Sequence, residues 1–297
     1  MSYITGVGSL LRGSLAAHAR RSIRSSSALK ASLALATVLS LTSTGAVFAE
    51  PPMEGAATEV APPAPIWSTN IYDGSVVRYQ DPDWVACTAA AAQSMLNLVG
   101  VAAQADLPPP RGGSLPQTTF RWQVDTSFPV EEHILAYERQ NMTMYWSSPG
   151  TDAHGWRNAL NYYGWGSITA GVYVDSSFTS FDAAAKQTVR SLARTGKPVG
   201  ILGWFGDHAQ YITGYTVQGE DPRISDKFTI LGIFMSDPLG SDRIHNVYTP
   251  IDTWRNGPLY VRFSPYYNHD SPYRDPVDGG IGNAQWWGKW VIIDAVK

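Results

Sequence analysis

Between Val85 and Val99 the chain reads VACTAAAAQSMLNLV, with no glycine or proline, and Gly100 follows. Alanine is the strongest helix former and a glycine is the usual helix stop, so the stretch predicts one helix. Ala86, Ala89, Ala90, Ala91, Met95, Leu96, Leu98 and Val99 leave it almost no polar face. A helix apolar nearly all round must be covered on every side, and its small alanines let the covering elements approach closely. The chain therefore has to wrap other elements around this helix. The only cysteine, Cys87, stands at its start, behind the polar lead-in Gln80-Asp81-Pro82-Asp83.

The first fifty residues of the 297 do not read as fold. Met1 to Lys30 holds five basic residues and no acidic one, Ala31 to Leu41 is apolar, and Val47-Phe48-Ala49 offers a small-residue cleavage site. That order is the order of a secretory signal, expected to be cut after Ala49. Arg20-Arg21 leaves twin-arginine export open beside the general route. Residues 50–66, rich in proline and alanine, predict a linker, and residues 67–297 a single domain. Removing the five basic residues of the signal from the 22 in the chain leaves 17 against 25 acidic ones, a net charge of −8. A phosphate-binding surface needs the opposite sign, so nucleic acid is not an expected partner. Past the signal no apolar run is long enough to span a membrane. The expectation is a secreted protein with no stable membrane insertion.

Further along, helices are expected over Pro129–Asn141, Asp152–Tyr163 and Phe181–Arg194. Trp156, Leu160 and Tyr163 share one face of the second, and Gly164 is expected to end it. Strands are expected over Ser167–Val174, Pro198–Phe205, His208–Thr216, Thr229–Met235 and Lys289–Ala295. A short one is expected within Ile71–Tyr79, and a helix turn plus a strand between Tyr248 and Phe263. Residues 101–128 and 264–282 read as loops. Helices first and strands later favour an α+β fold over a parallel α/β one.

An exported chain with one cysteine cannot close a disulfide within itself, so the thiol is buried and inert, reactive, or bridged to another chain. A nucleophilic thiol works as the thiolate. A helix N-terminus favours negative charge, and a histidine base completes the usual activation. His133, His154, His245 and His269 fall within helices or polar turns. His208 opens a strand directly after the Gly206-Asp207 turn, an address from which a side chain can face a cleft. Asp237, in Ser236-Asp237-Pro238 at the end of the 229–235 strand, reaches His208 if the two strands pair. Such a carboxylate would orient the imidazole. Gln80 could fold back over the helix start and donate to an oxyanion. Trp286, Trp287, Trp290, Tyr266, Tyr267 and Tyr273 are candidates for a sugar or peptide groove, or for core. No HxxxH or CxxC spacing points to a metal, and no phosphate-binding glycine motif is present, so no cofactor is expected.

Several pieces fall in the order of one known family. They are Gln80 and Cys87 before a buried helix, then Gly150-Thr151 with Leu160-Asn161-Tyr162-Tyr163-Gly164. Gly196-Lys197-Pro198-Val199, His208-Ala209 with Thr213-Gly214-Tyr215, and Ser236-Asp237-Pro238 follow. In these the chain resembles the papain-like cysteine peptidases of the C39-like family, over about residues 75–240. The resemblance implies a papain-like fold with a central helix against an antiparallel sheet. It also implies a Cys87–His208–Asp237 triad, Gln80 as oxyanion partner, and a peptide or protein substrate. Thr88-Ala89 stands where many relatives have Gly-Pro. An amidase, a transglutaminase-like acyl transferase and a non-catalytic binding module stay open as alternatives.

Overall fold

The structure, a computed structural model, describes residues 62–80, 85–100, 131–145, 150–239, 245–257, 260–265, 269–270 and 274–297. The expected signal segment, most of the linker, the 101–128 loop and Tyr266, Tyr267 and Tyr273 lie outside the described residues, as do the side chains of His133 and His269.

The architecture is α+β, around an open antiparallel sheet of seven strands. Strand β5 (His208–Gly219) is its axis. Its first half pairs with β4 (Val199–Gly203) and its second half with β1 (Ile66–Asn70). Along its length it pairs with β6 (Phe228–Ser236). Beyond β6 lies β7 (Val247–Pro250); beyond β4 lie β9 (Trp290–Ala295) and then β3 (Tyr173–Phe178). Two short strands, β2 (Met144–Tyr145) and β8 (His269–Asp270), form a separate pair.

Both faces of the sheet are covered. Helices α1 (Cys87–Leu98), α2 (Glu131–Gln140) and α3 (Ala153–Trp165) share one core with Leu202, Ala209, Tyr211 and Ile293. Helices α4 (Phe181–Thr195) and α5 (Ile251–Asn256) share the other with Ile201, Ile212, Ile233 and Ile292. Successive strand residues point to opposite faces, which is why Ile292 and Ile293 belong to different cores. A register shift between Ile212 and Gly214 reverses that parity within β5. Tyr211 packs with α1 before it; Tyr215 and Val217 pack with α4 after it. A bulge of this kind lets one long strand serve both layers.

The expected buried helix is α1, where Ala86, Ala89–Ala92, Met95 and Leu96 have no exposed surface. Close approach also shapes its neighbours. A Cβ on Gly155 of α3 would come within 2.5 Å of the Glu138 carbonyl oxygen on α2, and would also collide with Thr151 Oγ1. Asp152 caps α3 by accepting from Gly155 N at 2.9 Å.

Four boundaries differ from expectation. Gly164 is buried inside α3, and the stop is Gly166, whose φ of 78° lets its N–H reach the Tyr162 carbonyl at 2.7 Å. A glycine ends a helix only where the chain turns left-handed. Ser167 caps a short 3-10 turn, Ile168–Ala170, so β3 starts only at Tyr173. The N-terminal strand is Ile66–Asn70 rather than a part of Ile71–Tyr79. Between Tyr248 and Phe263 the strand comes first, as β7, and α5 follows.

Candidate active site

Cys87 is the first residue of α1 and is half-buried. Ala86 occupies the cap position and supplies no side-chain cap. The first intrahelical bond, Ala90 N to Ala86 O at 2.9 Å, leaves the earlier N–H groups of this end without ladder partners. The positive end of the helix therefore surrounds the thiol.

His208 reaches this point because β4 and β5 form a hairpin in which Gly203 faces His208. The loop is Trp204 to Asp207, not the two-residue turn expected, and Trp204 and Phe205 both take left-handed backbone, at φ 47° and 64°. That conformation is strained for bulky residues and occurs often at functional sites. It lays the Trp204 ring on the His208 imidazole, with centroids 4.6 Å apart and planes 26° apart.

The Asp237 carboxylate comes from the end of β6. Because Tyr211 faces Ser236 across the β5–β6 ladder, Asp237 lies level with the start of β5. His208 Nε2 and Asp237 Oδ1 are 2.8 Å apart. The Cys87 side chain acts on the same ring and favours its charged form. Burial alone would lower the His208 pKa, but the interactions with Asp237 and Cys87 outweigh it and raise the pKa to about 9. Burial likewise pushes Asp237 up; its bonds from His208, Leu239 N and Gln210 hold it below the ordinary carboxylate range instead.

Gln80 arrives on a strap running alongside α1. Ser94 Oγ accepts from Arg78 N at 2.8 Å, and Asn97 Nδ2 donates to Val76 O at 2.8 Å. The strap ends with Gln80 N donating to Pro238 O at 2.9 Å, and Gln80 itself is buried. The four residues singled out from the sequence thus converge: Cys87 and Asp237 each acting on His208, and Gln80 bonded to the Asp237-Pro238 turn.

Four further residues complete the surroundings. Gln210, fully buried two positions along β5 from His208, donates to Asp237 Oδ2 at 2.8 Å. Its place at i+2 on the same strand was the available signal. The Trp204 ring stacks on the imidazole, which adjacency in sequence could have suggested. Thr88 donates through Oγ1 to Glu138 Oε2 at 2.6 Å. Glu138 has no exposed surface, and burial raises its pKa well above the carboxylate range despite that bond. No local pattern announced it. The Thr88–Glu138 bond is a buried tie between α1 and α2.

Of the aromatic candidates for groove or core, Trp286 belongs to the core, fully buried against His154 with ring centroids 4.4 Å apart. Trp290 is half-buried and holds the Arg262 guanidinium over its ring, whereas Trp287 is exposed. Among the described residues no helix is long and apolar enough to cross a membrane.

Compared with protein-family models, curated proteins and solved structures, the chain matches none.

Proposed function

We propose that the chain is a secreted cysteine peptidase with a papain-like fold, of the C39-like kind, hydrolysing an amide through Cys87, His208 and Asp237. The observation that carries the reading is a single buried imidazole that a carboxylate holds through one nitrogen, its charged form favoured by the thiol at a helix N-terminus. A raised His208 pKa keeps the ring an imidazolium at neutral pH, the partner that a thiolate needs.

In this reading Cys87 Sγ attacks the substrate carbonyl carbon, and the carbonyl electron pair moves to oxygen. The Cys87 N–H and the Gln80 amide stabilise that oxyanion. As the C–N bond breaks, His208 passes its proton to the leaving amine, and a thioester remains on Cys87. Water then adds to the thioester while His208 takes its proton. Collapse releases the carboxylic acid and restores the thiolate–imidazolium pair. Asp237 holds the ring in register throughout.

The test is hydrolysis of a peptide library by the wild type and by Cys87→Ala, alongside iodoacetamide labelling at neutral pH. The reading expects turnover lost in the variant and labelling of Cys87 faster than that of a denatured control. Labelling no faster than the control refutes it. An amine adduct in place of the free acid would assign the acyl-transferase alternative.

A further inference from the structure

A second cluster of ionisable groups lies along the first turns of α3, outside the Cys87 centre. Arg157 pairs with Asp175 of β3 and with Asp275, and its Nη1 is 3.5 Å from Asp278 Oδ2. Asp275 is already satisfied, by Arg157 and Asn158 at Oδ1 and by Val277 N and Asp278 N at Oδ2. One guanidinium thus faces three carboxyl groups, an excess of negative charge.

The second observation is His154, which has no exposed surface. Its Nδ1 is 2.8 Å from Thr143 Oγ1. The Thr143 hydroxyl has Asp152 Oδ2 as its own acceptor, at 3.3 Å. In the tautomer in which Nδ1–H donates to Thr143, Nε2 is a bare lone pair. That atom is buried without a hydrogen-bond partner. It faces Asp175 Oδ2 at 3.5 Å and Asp278 Oδ2 at 4.0 Å. A lone pair directed at two acceptor oxygens is repulsive and, when buried, costly; a cation among the three converts the repulsion into ligation. Ligand atoms of His154, Asp275 and Asp278 all lie within 4.8 Å of one another. For Asp175 and Asp278, the 3.5 and 4.0 Å separations from Nε2 are ones that pairs of metal–ligand bonds of about 2.0–2.2 Å span.

We propose that His154 Nε2, Asp278 and Asp175 form a binding site for a divalent transition-metal cation of the Zn2+ type. An imidazole nitrogen among carboxylates suits such ions better than Ca2+ or Mg2+, which take oxygen ligands. The Nδ1–H bond to Thr143 is the kind of contact that fixes a ligating tautomer. Asp275 shapes the 274–280 loop through its backbone bonds, and the half-exposed Asp278 gives the ion a way in. The bound ion ties that loop to α3 and β3, in a chain whose single cysteine cannot form an internal disulfide.

The test is calorimetric titration of ZnCl2 into the full chain carrying Cys87→Ala, so that the thiol does not take zinc, with CaCl2 in parallel. The site predicts one equivalent of Zn2+ bound, a raised thermal midpoint, and no comparable Ca2+ uptake. Asp278→Asn, at a partly exposed side chain, should leave the metal-free midpoint unchanged and weaken Zn2+ at least tenfold; His154→Gln should do the same to binding. Absence of stoichiometric Zn2+ binding overturns the proposal. So does Zn2+ affinity unchanged in Asp278→Asn, or Ca2+ bound as tightly as Zn2+. Because the thiol is removed throughout, the outcome is independent of the peptidase reading.

Discussion

His208 is a buried base that ought to be hard to protonate, yet its two partners reverse that. Its folded pKa of about 9 lies above the ordinary 6.5. The stabilisation from its charged form is therefore complete below about pH 6.5 and is lost as pH rises through about 9. In the proposed enzyme kcat/KM should fall about tenfold per pH unit above that point. A histidine NMR titration of the same sample should place the His208 transition there. Asp237→Asn removes the carboxylate and lets burial dominate. The His208 pKa should then drop below 6.5, and kcat should fall by about 10^2–10^4-fold; an unmoved titration would show that Asp237 does not hold the ring. Glu138 gives the same sign of linkage, starting at lower pH. It is an acid whose folded pKa is raised, so the native state keeps a proton that the unfolded chain loses above about pH 4.5. Wild-type stability should decline relative to Glu138→Gln by up to about 1.4 kcal/mol per pH unit above that value. At pH 4 the two should unfold alike in urea, and parallel curves across pH would rule out a buried neutral acid.

Helix α1 could be read directly from its residues, because an unbroken apolar run with a glycine stop has few other solutions. The Cys87, His208 and Asp237 positions were legible for a related reason. Each stands at the end of a regular element, where periodicity breaks and a polar residue follows. What supports them was not legible, since it comes from pairings far apart in the chain. Glu138 lies 50 residues from Thr88, and the parity reversal in β5 depends on how β6 registers against it. His154, Asp175 and Asp278 likewise belong to three separate segments, beyond the reach of any spacing motif. Gly155 illustrates the difference at the level of helix packing. Its sequence neighbours give no reason for a glycine in a first helical turn, where it weakens the helix by about 1 kcal/mol relative to alanine. The reason is the Glu138 carbonyl, 2.5 Å from where a Cβ would stand. Gly155→Ala should therefore destabilise, by about 1–3 kcal/mol in urea unfolding, despite its better helix propensity. It should also reduce activity by shifting α2, and with it the Thr88–Glu138 tie. A neutral or stabilised variant would mean that α2 and α3 have room to spare.

At the scale of the molecule, the sheet depends on a strand distant in sequence from both of its partners. Strand β9 lies between β3 and β4, more than eighty residues upstream, and its Val291, Ile292 and Ile293 are fully buried. Ile292 belongs to the core under α4, while Val291 and Ile293 belong to the core under α1 and α3. Strand β1 differs: it pairs only with β5, and its residues alternate between half-buried and exposed. Burying an isoleucine or valine side chain stabilises by about 1.5–3 kcal/mol, so β9 carries a large part of a net stability of about 5–15 kcal/mol. It also joins the two cores, so its loss cannot be confined to one face. Deleting 290–297 should abolish cooperative urea unfolding and leave a chain that binds hydrophobic dyes. Deleting 1–70, which removes β1, should keep a single cooperative transition at a lower midpoint. If the 290–297 deletion still unfolds in one sharp step, the helices under β5 are stable without the sheet being closed, and the coupling of the two cores through β9 is refuted.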